Sequence, residues 1–327
     1  MSLAGFAVFP AERKDTVFDK ENLRQISIEG CKMIGSGAHS KVYRIAPDEI
    51  VKVYREDIPF SKIQLEKEKS RRALILGLPT AISFDIVKVG SCYGAVYELI
   101  DAESTAGFIG RSRENLDRYI SMSVELLKYI HSIKAEGAEI NDMKADHLEW
   151  VENVRDLLGD EKAGELKRMI EEVPDSGTLL HGDYHMKNII ICKGEPMLID
   201  MDTLCFGDPC FDLATISNSY YTFPKMASDA ATSFLGISVE DARYIWEQTL
   251  SRYYSEMNKK ELAEKDRICR ILGCLRILDF GKRGGDPVHK ELIIAKGLEF
   301  ISSLLCEPYH QRSRSEERRV GKECRSR

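Results

Sequence analysis

The sequence predicts an α+β protein of two lobes: a small antiparallel β-sheet lobe carrying one helix, then a larger, mainly helical lobe. Three observations predict it. Residues 26–100 alternate short β-rich segments with Gly, Pro and Asp turns, broken by one run of helical period. Beyond Ala102 the apolar residues recur every three or four positions, the mark of helices with one buried face. Polar, motif-like stretches occur in both halves, which suggests a cleft between them.

The elements follow in order. Residues 1–25 form a polar leader with weak patterning. From Ile26, "KMIGSG", "KVYRIA" and "IVKVYR" read as three strands of a meander. "FSKIQLEKEKSRRALILGL" reads as one helix, with apolar residues at 60, 63, 74, 75 and 78 and Gly77 near its end. "ISFDIVKVG" and "YGAVYELI" restore two strands, so the first lobe spans 26–100 and the second 101–310. "ENLDRYISMSVELLKYIHSI" is a helix with its buried face at 116, 120, 124, 127, 130 and 133. Charged helices fill 144–172, short β pieces 178–202, and helices nearly everything from 209 onward. Ser238 with Asp241 three residues later marks a helix start. The aromatics at 244, 246, 253 and 254, at helical spacing, read as core rather than as a ligand stack.

Composition narrows the function classes. The chain has 327 residues, 43% hydrophobic and 31% charged, enough for a large core. A net charge of -6 implies no basic surface for nucleic acid. No apolar run reaches the roughly 20 residues of a membrane span, and "LAGFAVF" is too short for a signal core. Nine cysteines are scattered without a C-x-x-C, the pattern of reduced thiols in a cytoplasmic protein. Residues 311–327, with "RSEERRVGKECRSR" from Arg314, are Arg-rich and aperiodic; they resemble a translated sequencing adapter and are set aside as a non-native tail.

"GSGAHSKVY" (35–43) is the first chemical motif. The spacing of Gly35 and Gly37 lets backbone N–H groups approach phosphate oxygens. It nearly fits the P-loop, but Ser40 stands where that motif has glycine and Val42 where it has a hydroxyl. A P-loop must also open a helix, whereas "KVYRI" continues as a strand. The remaining reading is a glycine-rich hairpin over a nucleotide, followed by a strand whose Lys52 pairs with phosphate; a plain hairpin with an exposed lysine is its rival. Such a lysine needs a carboxylate from the next helix. Glu66, one turn from Ile63, is preferred to Glu68, which reads as a solvated charge.

"HGDYHMKNIIICKGEPMLIDMD" (181–202) is the densest cluster of reactive side chains. On a strand, His181, Asp183 and His185 would share one face, as in a metal hydrolase. The other histidines (39, 131, 147, 289 and 310) stand alone, however, and that reading leaves Asn188 and Asp200 without roles. Phosphoryl transfer gives each a role. Asp183 accepts the proton of a substrate hydroxyl, while Asn188 and Asp200 supply the oxygen ligands that magnesium prefers.

"LLHGDYHMKNIII", "MLIDMD" and "GDPCFDLA" together resemble the aminoglycoside phosphotransferase and choline kinase superfamily, small-molecule relatives of the protein kinases. The resemblance covers roughly residues 28 to 300 and extends to an uncharacterised bacterial branch with "GLPTAISFDIVKVG" and "LIDMD". It implies a bilobal protein-kinase-like fold, with Asp183 as catalytic base and Asn188 and Asp200 as magnesium ligands. It also implies Lys52 and Glu66 as the phosphate-positioning pair, and Glu98, Leu99 and Ile100 as the hinge beside adenine. His181 then braces the Asp200 segment and Asp212 anchors the catalytic loop.

Departures from protein kinases matter too. His185 stands where those enzymes have lysine, and Met201 and Asp202 follow Asp200 where they have Phe-Gly. The interval from Asp200 to Asp212 is too short for a peptide platform. The expectation is an ATP- and Mg2+-dependent phosphotransferase acting on a hydroxyl of a small molecule that is aminoglycoside-, choline- or sugar-like. A nucleotide-binding pseudokinase-like regulator is the alternative.

Overall fold

The computed structural model describes residues 22–37, 39–135, 140–227, 229, 231–284 and 290–306. Most of the leader and the whole 311–327 tail lie outside the described residues. The chain divides into two compact units, Met1–Ile100 and Asp101–Arg327.

The first unit is a five-stranded antiparallel sheet in the order β1-β2-β3-β5-β4. Its strands are β1 (Lys32–Ser36), β2 (Ser40–Arg44), β3 (Glu49–Tyr54), β4 (Ser83–Val89) and β5 (Cys92–Glu98), with helix α1 (Phe60–Ile75) between β3 and β4. Period-two alternation makes two faces. Val51 and Val53 pack with Val87, Val89 and Val96 on one. Tyr54, Ile86 and Ala95 pack with Ile63 of α1 on the other. A Cβ at Gly94 of β5 would lie 2.6 Å from Val51 Cγ2, so the sheet closes there only around glycine. Helix α1 ends at Gly77 (φ 84°), where the N–H of Leu78 reaches the carbonyl of Ala73 and that of Gly77 reaches Leu74. Leu23 packs on the α1 side of the sheet, and Arg24 and Ile26 exchange backbone hydrogen bonds with Lys88 of β4. The end of the leader thus runs on as an edge segment of the sheet.

The second unit opens with β6 (Glu103–Ser104), α2 (Thr105–Ile109) and α3 (Arg113–Ser132). Ser112 caps α3 by accepting from the N–H of Asn115. Leu116, Ile120, Val124, Leu127 and Ile130 are its buried stripe. Next come β7 (Asn141–Asp142), α4 (Met143–Asn153), α5 (Arg155–Leu158), α6 (Asp160–Glu172) and β8 (Leu179–Leu180). Strands β9 (Ile189–Cys192) and β10 (Glu195–Leu198) form a hairpin extended by β6, and β11 (Cys205–Phe206) pairs with β7 and β8. The rest is helical: α7 (Cys210–Ser217), a π-helical turn (Asn218–Thr222), α8 (Phe223–Met226), a second π-helical turn (Ala231–Leu235), α9 (Val239–Tyr253), α10 (Lys259–Arg283) and α11 (Lys290–Leu305). Ser238 caps α9 through the N–H of Asp241. The main core gathers residues of α4, α6, α7, α10 and α11, including Val151, Leu166, Phe211, Leu275 and Ile301. Among the aromatics, Trp246 is buried with its indole N–H on Asp266, and Tyr244 stacks under Arg113.

Candidate active site

In the first unit, β3 sets Lys52 opposite Val42 and Ala95, on the α1 side of the sheet. Its Nζ donates to Glu66 Oε1 at 2.7 Å, and the Tyr97 hydroxyl reaches the same oxygen at 3.4 Å. Glu66 is 5% exposed, so α1 buries this carboxylate against its partners, whereas Glu68 pairs with Arg71 and Arg72 on the surface. Gly35 lies at an irregularity of the β1–β2 ladder, where an added Cβ would meet Val42 at 3.4 Å. The N–H of Gly37 donates to the Ser40 carbonyl and closes the hairpin. Glu98 ends β5 with its carboxylate accepting from the N–H of Ile82, and the N–H of Leu99 donates to the Asp48 carbonyl. The Leu99 N–H and one Glu98 carboxylate oxygen are therefore used within the unit, and Ile100 is its last residue.

In the second unit, residues 181–188 form a loop between β8 and β9, not a strand, so His181, Asp183 and His185 do not present one face. Gly182 makes the turn. Its φ is 80°, and a Cβ there would fall 2.2 Å from the Thr203 carbonyl oxygen. Asp212, fully buried on α7, accepts from the N–H groups of His181 (2.9 Å) and Gly182 (2.7 Å). His131 Nε2 lies 3.1 Å from the same carboxylate, with its Nδ1 on the Tyr253 hydroxyl. Burial pushes the Asp212 carboxyl up, but the hydrogen bond and charge of His131 outweigh it and hold the group low. The His181 ring is fully buried, and that burial lowers its pKa; Nδ1 accepts from the N–H of Asp183, and Nε2 has no partner among the described residues. What ties His181 to the segment after Asp200 is its carbonyl, which accepts from the Thr203 hydroxyl at 2.9 Å.

Asn188 donates to both the carbonyl (2.9 Å) and Oδ2 (3.2 Å) of Asp183. His185 Nε2 lies 3.3 Å from that same Oδ2, while Oδ1 faces Arg276 Nη2 at 3.9 Å. Burial raises the pKa of Asp183, yet the hydrogen bond and charge of His185, with the charge of Arg276, hold it below the usual carboxylate range. Its side chain keeps 38% of its surface accessible. Asp183 and His185 line a cavity of about 220 Å³ within the second unit. Asp200 is tied to Asn188 through the next backbone link, the N–H of Ile199 on the Asn188 carbonyl, and it adopts left-handed φ of 63°.

Three residues of the site carry no role in the sequence analysis, two of them outside the motif and one, Asp202, at its end. Arg276 of α10 donates to the Gly182 carbonyl and faces Asp183 from 93 residues along the chain. Its signal was a lone arginine in the otherwise apolar "CLRIL". His131, with Tyr253 behind it, is the second. Asp202 is the third, with a carboxylate oxygen within 4.8 Å of one on Asp200.

A family model described as the phosphotransferase enzyme family matches residues 30–244, about two thirds of the chain. The chain belongs to that family. It is a phosphotransferase with an alcohol group as acceptor. Among curated protein sequences none matches it. Solved structures with the same fold include the aminoglycoside phosphotransferase APH(2'')-Ib bound to ADP, at 16% identity and TM-score 0.55, covering 84% of this chain and 93% of that one. Another is an aminoglycoside 2''-phosphotransferase of type IIIa with GDP and kanamycin, at 16% identity and TM-score 0.58, covering 87% and 95%. A third is a choline/ethanolamine kinase family protein from Mesorhizobium loti, at 13% identity and TM-score 0.57, covering 85% and 88%. The protein-kinase-like, α+β architecture is thereby shown, with nucleotide use as the common thread of the first two. Among the described residues of this phosphotransferase no helix is long and apolar enough to cross a membrane.

The donor set of the phosphotransferase fits a hard cation. The amide N–H contacts of Asn188 go to Asp183, which leaves its Oδ1 available as an oxygen ligand, and Asp200 and Asp202 bring carboxylate oxygens within 4.8 Å of each other. Among the described residues, no cluster with the spacing of metal ligands contains a histidine.

Proposed function

We propose that this phosphotransferase moves the γ-phosphate of ATP to a hydroxyl of a small molecule seated in the cavity beside Asp183. The observation that carries the reading is the division of labour at the Asp183 carboxylate. Oδ2 is held by Asn188 and His185, while Oδ1 lies 3.9 Å from Arg276, which lines the same cavity as Asp183. An acceptor hydroxyl donating to Oδ1 is oriented for attack, and its proton passes to that oxygen as the bond to phosphorus forms.

The chain's other residues supply positioning. Lys52, aligned by Glu66 and Tyr97, is suited to the nucleotide's phosphate oxygens. The hairpin at Gly35, Gly37 and Ser40 offers close backbone approach, and Glu98 to Ile100 are the candidate hinge for the base. Asn188 and Asp200 would hold Mg2+, whose charge neutralises the phosphates when bound. Asp212 accepts from the successive N–H groups of His181 and Gly182 that lead into the turn, and so sets where Asp183 stands. All eight described cysteines are free thiols, in keeping with a cytoplasmic enzyme.

Calorimetry with a non-hydrolysable ATP analogue and magnesium tests the assignment. Asp200→Asn is expected to weaken binding. Asp183→Asn is expected to bind normally and to slow transfer by about 10²–10⁴-fold. Equal loss of nucleotide binding in both variants contradicts this division of roles between the two aspartates.

A further inference from the structure

The cavity walls carry information about the acceptor that the transfer chemistry does not use. At about 220 Å³ the space falls below the roughly 300–1,000 Å³ of drug-sized ligand pockets. The part of an acceptor held within these walls is therefore about one ring or a short chain.

Charge narrows the choice further. Asp183 is the sole acid among the described residues of the lining. Its carboxylate is already met at Oδ2 by Asn188 and His185. A polyamine ligand would bury cations with no carboxylate to meet them, a costly arrangement. The aromatic walls do not form an open cage for a quaternary ammonium either. Phe234 already has Lys187 Nζ 4.9 Å from its ring centroid and the His185 ring edge-on at 5.4 Å. Lys187 adds positive charge beside that wall.

Among the neutral polar walls, Thr215 donates to the Asp212 carbonyl, Asn218 to the Gly273 carbonyl and Ser219, at 3.5 Å, to the Thr215 carbonyl, while Asn218 Oδ1 has no partner among the described residues. Arg276 is different. One of its N–H groups goes to the Gly182 carbonyl, and its approach to Asp183 at 3.9 Å is beyond hydrogen-bond reach. A guanidinium has five donors; the others of Arg276 have no hydrogen-bond partner among the described residues, and the residue lines the cavity. Around it, Phe223, Phe234 and Phe280 offer apolar surface, and Phe234 and Phe280 are 43% and 56% exposed. A guanidinium with unused donors amid phenyl rings is a site for a carboxylate.

We infer that the acceptor is a small hydroxy acid: an alcohol on an apolar body, with its carboxylate held by Arg276. This rests on the reading of Asp183 as the group that receives the hydroxyl proton.

Two matched trios test it on the full chain with ATP and magnesium: hydroxymethylbenzoate, hydroxymethylbenzamide and hydroxymethylbenzylamine, then hydroxybutanoate, butanediol and aminobutanol. The expected order of kcat/KM is acid, then neutral, then amine in at least one trio. Arg276→Gln is expected to raise KM for the acid about 10–100-fold more than for its neutral partner, the scale of a charge-assisted hydrogen bond. Arg276→Lys should recover part of the preference. Best turnover of an amine, turnover of no member of either trio, or an Arg276→Gln effect confined to kcat and equal for all acceptors overturns the inference. In that last case Arg276 serves only to position Gly182. Transfer that survives Asp183→Asn instead overturns the Asp183 reading; a cationic preference lost with Asp183→Asn sinks the hydroxy-acid inference alone.

Discussion

Lys52 donates to the buried Glu66 at 2.7 Å, and each is the other's reason for standing inside the small unit. Removing the lysine takes the 2.7 Å donor from a carboxylate that is 5% exposed and leaves the longer Tyr97 contact. Lys52→Met is therefore expected to cost about 1–3 kcal/mol of stability, below the value for a fully buried pair because Lys52 keeps some solvent. The double variant Lys52→Met/Glu66→Gln should regain most of that stability in urea denaturation while turnover stays low. If stability and turnover recover together, Lys52 is a structural residue only.

Gly182 cannot gain a side chain without moving the Asp200 segment. Gly182→Ala places a Cβ against the Thr203 carbonyl and puts a non-glycine residue at φ 80°. The two strains together are expected to cost about 2–4 kcal/mol. Transfer should fall by more than an order of magnitude even at a temperature where the variant is folded. Unchanged melting and turnover would mean that the loop adapts freely.

Asp212 holds two backbone N–H groups and His131 in a fully buried site. Asp212→Ala is expected to lower stability by about 3–5 kcal/mol, because the donors it leaves behind stay buried. Among molecules still folded, nucleotide affinity by calorimetry should be near normal and kcat reduced. A loss of affinity without loss of kcat contradicts the anchoring role.

His147 predicts acid sensitivity. It is buried between Trp150 and Phe211, with Nδ1–H on the Met143 carbonyl. Burial takes its pKa from 6.5 down to about 3. Above pH 6.5 neither folded nor unfolded chain protonates this ring. Below it the unfolded chain takes up a proton that the folded chain refuses, so stability falls until about pH 3. The loss from this group is about 2 kcal/mol at pH 5. His147→Asn keeps the donor and removes the titration; its urea midpoint should change less between pH 7 and pH 5 than that of the parent.

Local pattern accounts for what the sequence made readable. Alternation around Lys52 gave the strand and the direction of its side chain, and the spacing of Leu116, Ile120, Val124, Leu127 and Ile130 gave the face of α3. The spacing of Asp183, Asn188 and Asp200 suggested a chemistry because those residues lie within one short segment. Arg276 was not legible as part of the site: the packing of α10 beside the loop, not any local rule, brings it to Asp183. The two π-helical turns that shape the cavity through Asn218, Ser219 and Phe234 leave no periodic signature in so few residues. The alignment of Arg24 and Ile26 with β4 was likewise hidden, since a lone edge segment has too little alternation to read.

The left-handed backbone at Asp200 acts as a chiral sieve on its own side chain. Among L-residues, asparagine and aspartate enter that region readily, and longer acids do so at a cost. Glutamate would keep the charge but fight the turn; glycine would relax the turn but bring no oxygen. An engineer wishing to retune the corner for another cation therefore has two donors to choose from, not the full set of oxygen-bearing side chains. The limit comes from the handedness of one α-carbon, before any demand of chemistry is made.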